Sequence, residues 1–295
     1  MTHAGDADTT MAAPRPGRRR ELIGRFFRHG PSLTGLIIFT LVVLLAVSAP
    51  LIAPRDPQDM FVVDRLQAPS TTYLLGTDHF GRDLFARVVY GARVSLRVAL
   101  VVVTLTTVFG VLIGSVAGFF TRVDNVLMRV MDAMMSFPSI LLAIAIMAVL
   151  GRSETNAIIA LSIVYTPNMA RLVRGAVLAT KHNDYVEAVR GLGGSEPRVL
   201  VKHVLPAIWS PVVVQATFIA VYAILAEAGL SFLGAGTPPS VPSWGNILSE
   251  GRQYMVDAPW IMLFPGLAIS LTVLGLNLIG DGLRDLLDPR LQGRA

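Results

Sequence analysis

Uncharged apolar stretches alternate with polar connections along this chain, and their lengths set its class. Residues 33–53, 98–121, 133–151 and 258–280 contain no Asp, Glu, Lys or Arg. Residues 156–177 and 209–233 are similar in length but carry Arg171, Arg174 and Glu227. A helix needs about 20 mainly apolar residues to cross a hydrocarbon layer about 30 Å thick. The pattern therefore predicts an all-α membrane protein with about six transmembrane helices.

Within the spans, local residues predict packing and breaks. Gly110, Gly114 and Gly118 recur every fourth residue and predict a ridge of small residues along which a second helix approaches closely. Pro138, in Ser136-Phe137-Pro138-Ser139, predicts a kink or freed carbonyls. Glu227 is the one acid well inside an apolar run; leaving it unpaired there is costly, so it needs a polar partner or cavity, and a structural carboxylate holding a neighbouring loop is the favoured role. The Pro-rich stretch after it, residues 238–245, predicts a rigid loop with Trp244 packed inward.

The connections carry their own signals. Arginines interleave with Leu22, Ile23, Phe26 and Phe27 in the N-terminal tail, as in an amphipathic helix on a membrane surface. Val47-Ser48-Ala49 imitates a leader-peptide cleavage site, but the long polar leader and the length of the apolar run favour a retained first helix. In Gly76-Thr77-Asp78-His79-Phe80-Gly81-Arg82-Asp83, Thr77 or Asp78 is expected to cap the helix that follows, with Asp83 and Arg87 paired four residues apart. Asn183 is expected to cap a short helix with Asp184 and Glu187 in its first turn; Gly193 then supplies a left-handed turn, and Ser195-Glu196-Pro197 starts a second helix. Asp288 before Pro289 and Arg290 predicts where the last helix stops.

Composition agrees with the span count: 53% of the 295 residues are hydrophobic and 15% charged, and the mean hydropathy is +0.60, well beyond an ordinary soluble domain. The net charge of +5 would suggest nucleic acid in a soluble chain, but here the basic residues flank apolar runs as orientation signals do. With no cysteine, disulfides and thiolate sites are excluded. Lys181 and Lys202 are the only lysines and neither follows a Gly, so the phosphate-cradling Gly-Lys loop is excluded and nucleotide hydrolysis must come from another chain. Against an intramembrane enzyme acting through Asp132, Asn168 or Glu227, the five histidines are scattered and neither a His-Glu-x-x-His pair nor a Gly-x-Ser-x-Gly elbow occurs. No catalytic residue and no metal site is expected. A self-contained channel or ion-driven transporter would need more intramembrane charge than Glu227.

The loop over residues 182–206 resembles the cytoplasmic coupling loop of bacterial ABC importer membrane subunits. Glu187, Ala188, Gly193, Leu205 and Pro206 match that family's pattern in spacing, whereas Val189 replaces an Ala and His203 an Ile, the His resembling the peptide-importer branch. Residues 76–83, the run from Glu227 through Ser231 to Trp244, and the C-terminal segment from Asn277 to Arg290 resemble further signatures of the C-type subunit of dipeptide and oligopeptide permeases. The resemblance covers nearly everything after Leu33. It implies a type I ABC importer permease fold with no cofactor of its own. ATP and Mg would be bound by two ATPase subunits docked against Asp184, Tyr185, Glu187 and Ala188. A homologous second permease subunit would complete a heterodimer, and an extracytoplasmic binding protein would deliver peptide, with nickel or glutathione as alternative cargoes.

The expected organisation is a cytoplasmic tail (1–30), a first span with its extracytoplasmic connection (31–92), a permease domain (93–284) and a cytoplasmic tail (285–295). Of the 25 Lys and Arg residues, 17 fall on one side of this arrangement and 8 on the other, which puts both termini and the 182–206 loop in the cytoplasm; the resemblance implies that the membrane is the inner membrane of a prokaryote. The outer 8 are concentrated in the connection before the second span, a cluster that the charge rule leaves unexplained.

Overall fold

The structure is a computed structural model and describes residues 29–287. The amphipathic pattern around Leu22–Phe27 and the stop at Asp288-Pro289-Arg290 lie outside the described residues.

The first span is α1, Gly30–Val47, continued after Ser48 by one turn, Ala49–Ile52. A connection of coil and tight turns leads to α2, Leu84–Phe119, whose 36 residues make it about 54 Å long. Next come α3, Thr121–Met135, and α4, Ser139–Leu150, which meet at 93°. The break falls at Ser136-Phe137-Pro138, where proline lacks an N–H and drives the preceding residue out of the helical region, so the expected kink is a full corner. Then follow α5, Glu154–Thr180; α6, Asp184–Gly191; α7, Trp209–Phe232; α8, Trp244–Gly251; and α9, Trp260–Leu287.

Among the described residues, α1, α2, α7 and α9 are each long and apolar enough to cross a membrane, and the bent pair α3–α4 makes a fifth crossing if it counts as one span. The sixth expected span is α5, which has the length at 27 residues but carries Glu154, Arg171 and Arg174. It belongs to the bundle through its packing, because its main partner is α2.

That contact is built on the glycine ridge. A Cβ at Gly110 would lie 2.4 Å from Met169 Cγ, at Gly114 2.4 Å from the Ala170 carbonyl oxygen, and at Gly118 2.9 Å from that of Arg174. Only hydrogen at these positions lets the backbones approach, and the buried Val98, Val102, Met169, Val173 and Val177 fill the remaining space. Beside this pair, Arg174 grips Asp124 of α3 through two bonds of 2.5 and 2.7 Å, and Arg171 pairs with Asp132 at 2.5 Å. On its other sides α2 meets α1, α7, α8 and α9.

Candidate functional site

Two polar structures sit at the opposite ends of α2. At its C-terminal end lies the hairpin made of α6 and the turns after it. Lys181 Nζ donates to the Gly118 carbonyl at 2.9 Å, and the Arg190 guanidinium lies 5.4 Å from the Phe119 ring centroid. Arg190 also donates to the Lys181 carbonyl at 3.2 Å and pairs with Glu196 at 3.2 Å. The hairpin is thereby fastened to the ends of α2 and α5. Its inner side is apolar: Val186, Val199 and Val204 are fully buried and join the main core with Ile208 and Val212.

The other side of α6 carries no such cover. Asp184, Tyr185, Glu187 and Ala188 are exposed, and Leu192 at its end is 89% exposed. An amphipathic helix of two turns held by its inner face alone presents a ready surface to another molecule. Asp184 and Glu187 occupy its first turn as expected. The cap differs: the Asn183 side chain makes no capping bond, and the Asn183 backbone carbonyl accepts from the amides of Val186 and Glu187 at 2.8 and 3.2 Å. Gly193 has φ +85°, the left-handed turn that was expected, with its N–H donating to the Arg190 carbonyl at 2.9 Å. The second helix, Glu196–Val199, starts at Ser195 and widens into a π turn over Leu200–Val204 before Leu205–Ala207. Pro206 has no N–H to continue an α ladder, which accounts for the wider turn. His203 and Leu205 are half-buried there and Pro206 is exposed.

At the N-terminal end of α2, residues 76–83 form a buried charge cluster. Asp78 is fully buried; its Oδ1 accepts from the amides of Phe80 and Arg82 at 2.8 and 3.0 Å, while Oδ2 accepts from Arg82 Nε at 2.6 Å and from an Arg87 terminal nitrogen at 2.5 Å. Both arginines also reach Glu250 of α8, Arg87 at 2.6 Å. Two cations and two carboxylates thus cancel inside the protein, which burial requires. Burial by itself would raise the Asp78 pKa, but Arg87, then Arg82 and the two amides, hold it below the ordinary carboxylate value. Desolvation keeps His79, stacked on Tyr254, below the ordinary histidine value. Asp78, His79 and Glu250 lie within ligating distance of one another, yet both carboxylates are committed to guanidinium groups, so the set suits an ion-pair latch and not a metal.

Two sequence expectations fail here. Neither Thr77 nor Asp78 caps α2. Asp83 does, accepting from the Phe85 amide at 3.0 Å, and the Thr77 hydroxyl and carbonyl are engaged by Asp64, Gln67 and Trp260 instead. Nor does Asp83 pair with Arg87: Arg55 lies 3.6 Å from Asp83, and Arg87 turns inward. Gly76 and Gly81 have φ +81° and +76°, and a Cβ on Gly81 would overlap the Phe61 carbonyl, so the loop folds back on its own connection.

Glu227 is fully buried near this end and has hydroxyl partners. Ser95 of α2 donates to it at 3.1 Å and Ser231 at 2.9 Å. Ser231 in turn accepts from the Thr237 amide at 3.2 Å, and Asn246 donates to the Pro238 and Val241 carbonyls at 2.9 Å. The acid therefore anchors the 234–243 loop to α2, the structural role expected of it. Trp244 is buried, with its ring nitrogen donating to the Val88 carbonyl at 3.0 Å. Glu250 was not singled out from sequence, since its arginine partners lie as far as 168 residues away and no local spacing announces them.

The family model described as the binding-protein-dependent transport system inner membrane component matches residues 107–293. A second, described as the N-terminal TM domain of oligopeptide transport permease C, matches residues 18–69. A putative peptide transport system permease protein of Brucella abortus is 52% identical over 268 residues, 91% of this chain and 90% of that one. A dipeptide transport system permease protein of Alkalihalophilus pseudofirmus is 44% identical over 274 residues, 92% and 90% of the two chains. A glutathione transport system permease protein of Pectobacterium atrosepticum is 40% identical over 275 residues, 92% and 91%. The hairpin lies within the first match, and these relatives align nearly end to end. The chain is a multi-pass membrane protein that belongs to the family of binding-protein-dependent transport system inner membrane components.

Proposed function

We propose that this chain is the non-catalytic, membrane-spanning permease subunit of an ATP-driven importer of di- and oligopeptides. The observation that carries this reading is the bare outer face of α6, with Asp184, Tyr185, Glu187 and Ala188 exposed on a hairpin fastened to the ends of α2 and α5. Two separate ATPase subunits, holding ATP and Mg, dock on the cytoplasmic side, one of them seating this helix. A homologous second permease subunit completes a heterodimer, and a binding protein brings substrate to the other side. Closure of the ATPases pushes the hairpin. Because Lys181 and Arg190 link it to α2 and α5, the push enters the tightest helix pair of the bundle and tilts the spans between outward-open and inward-open states.

Peptide as the cargo rests on the names of the Brucella and Alkalihalophilus relatives. The Pectobacterium relative makes glutathione the second reading. Reconstitution in vesicles with the neighbouring permease, ATPase and binding-protein subunits tests both. The expected result is uptake of labelled dipeptide that requires ATP and every subunit. Uptake without ATP would overturn the importer assignment, and ATP-dependent uptake of glutathione in preference to dipeptides would replace the cargo.

A further inference from the structure

A polar cavity of about 630 Å³ lies between α3 and α5, lined by Asp124, Asn125, Arg129 and Asp132 from the first helix and by Arg171 and Arg174 from the second. Its depth follows from the packing of α5 on α2. A Cβ on Gly114 would meet the Ala170 carbonyl and one on Gly118 the Arg174 carbonyl, so residues 170–174 run beside the last turns of the uncharged stretch that ends at residue 121. Gly114 lies about 10 Å inside that end, and Asp132 about 16 Å along α3 from Thr121. Yet the Arg171 and Asp132 side chains, paired with each other, are 51% and 60% exposed. Charges at such a depth face the inside of a bundle or a water-filled cavity, not hydrocarbon. The backbone gives the same answer. Residues 136–140, where the span breaks between α3 and α4, are all exposed, and a broken backbone in mid-span is tolerated only where protein buries it or where it lines a water-filled cavity.

Charge and spacing decide what the cavity fits. Three guanidinium groups line it against two carboxylates. Arg174 takes both oxygens of Asp124, and Arg171 takes Oδ1 of Asp132. Among the described residues, Arg129 forms no ion pair and Asp132 Oδ2 accepts no hydrogen bond. One cation and one carboxylate oxygen are thus left to a molecule that carries both an anionic and a cationic end, as every peptide does whatever its side chains. Arg129 and Asp132 stand three residues apart on one face of α3, about 5–6 Å between their Cβ atoms, and two extended residues span at most about 7 Å. The volume falls within the range of small-molecule sites, about 300–1,000 Å³.

We infer that this cavity is a station on the cargo's route, where Arg129 holds the terminal carboxylate of a peptide and Asp132 its terminal ammonium; the inference rests on the importer reading above and adds the residues that grip the cargo. The test uses the whole transporter in vesicles, with a photoreactive side chain at the exposed Asn125 and a labelled dipeptide supplied with its binding protein and ATP. Light should join the dipeptide to this chain, and excess unlabelled dipeptide should prevent it. Arg129→Gln, which breaks no ion pair, should lower the crosslinked yield about tenfold, as loss of a charge-assisted bond does, and Arg129→Lys should restore most of it, with membrane levels near wild type in both. Asp132→Asn should lower the yield as well. Capture of the second permease subunit with no peptide, or a peptide yield unchanged in both Arg129→Gln and Asp132→Asn, would overturn the inference while uptake by wild type leaves the importer reading standing. Absence of ATP-driven uptake by wild type would instead overturn that reading.

Discussion

Asp78 shows how one side chain can hold two parts of the chain together. Its carboxylate receives two amide N–H groups and two guanidinium groups in a site without solvent, so the charged form is stabilised by the fold and by nothing in the unfolded chain. Its depressed pKa means that the stabilisation is fully present above the unfolded value near 3.8 and is lost as the pH falls through the lower folded value. Asp78→Asn should therefore lower the melting temperature of the detergent-solubilised protein at pH 7 by an amount equivalent to about 3 kcal/mol, since it leaves two buried arginines facing one acid. The gap to wild type should stay constant from pH 7 to about 5 and close below about pH 4. A gap that closes between pH 7 and 6, or no gap at all, would remove Asp78 from the latch. The motif around Asp78 was legible in the sequence as polar and glycine-rich. Its geometry was not, because Glu250 approaches from a helix that the sequence separates from it by most of the bundle.

Among the elements, α2 and α6 make opposite demands. The close approach of α2 to α5 tolerates no side chain at Gly114, whose Cβ would sit 2.4 Å from one carbonyl oxygen and 2.7 Å from Val173 Cβ. Gly114→Leu should destabilise the fold by at least about 1–3 kcal/mol and deplete the protein from the membrane. Substitutions in α6 should leave the bundle intact. Glu187→Lys reverses an exposed charge, and Gly193→Pro puts a residue locked at about −65° where the backbone has a φ of +85°. Both should abolish ATP-driven uptake while membrane levels, read by immunoblot, stay near wild type. Loss of the protein in both α6 variants would make the hairpin a structural piece and not a docking surface. The glycine spacing and the Asn183 to Pro197 pattern were readable because both are local. The missing Asn183 side-chain cap and the π turn before Pro206 were not, since each depends on where the hairpin comes to rest against Val199 and Val204.

For the whole molecule, the decisive relation is that α2 begins at the ion-pair latch and ends at the hairpin, about 54 Å away. If the hairpin is cytoplasmic, the latch and the Glu227 network belong to the other face. The chain has no cysteine, so Leu192→Cys, at a position 89% exposed, gives a single reporter. A membrane-impermeant maleimide should label it in inverted vesicles and not in intact cells. Labelling from outside intact cells would reverse the orientation and end the coupling proposal with it.

The sequence by itself determined the membrane class, the approximate number of crossings, a break at Pro138, the close-packing ridge and the presence of a polar hairpin. Each of these follows from hydropathy over a helix length or from the backbone limits of Gly and Pro, which act within a few residues. The tertiary structure decided which charges meet: Arg87 turns from Asp83 to Asp78 and Glu250, and Glu227 meets a hydroxyl of α2 as well as one in its own helix. Desolvation is the physical reason. How much a charge costs, and which partner can offset that cost, depends on everything packed around it once the helices have come together.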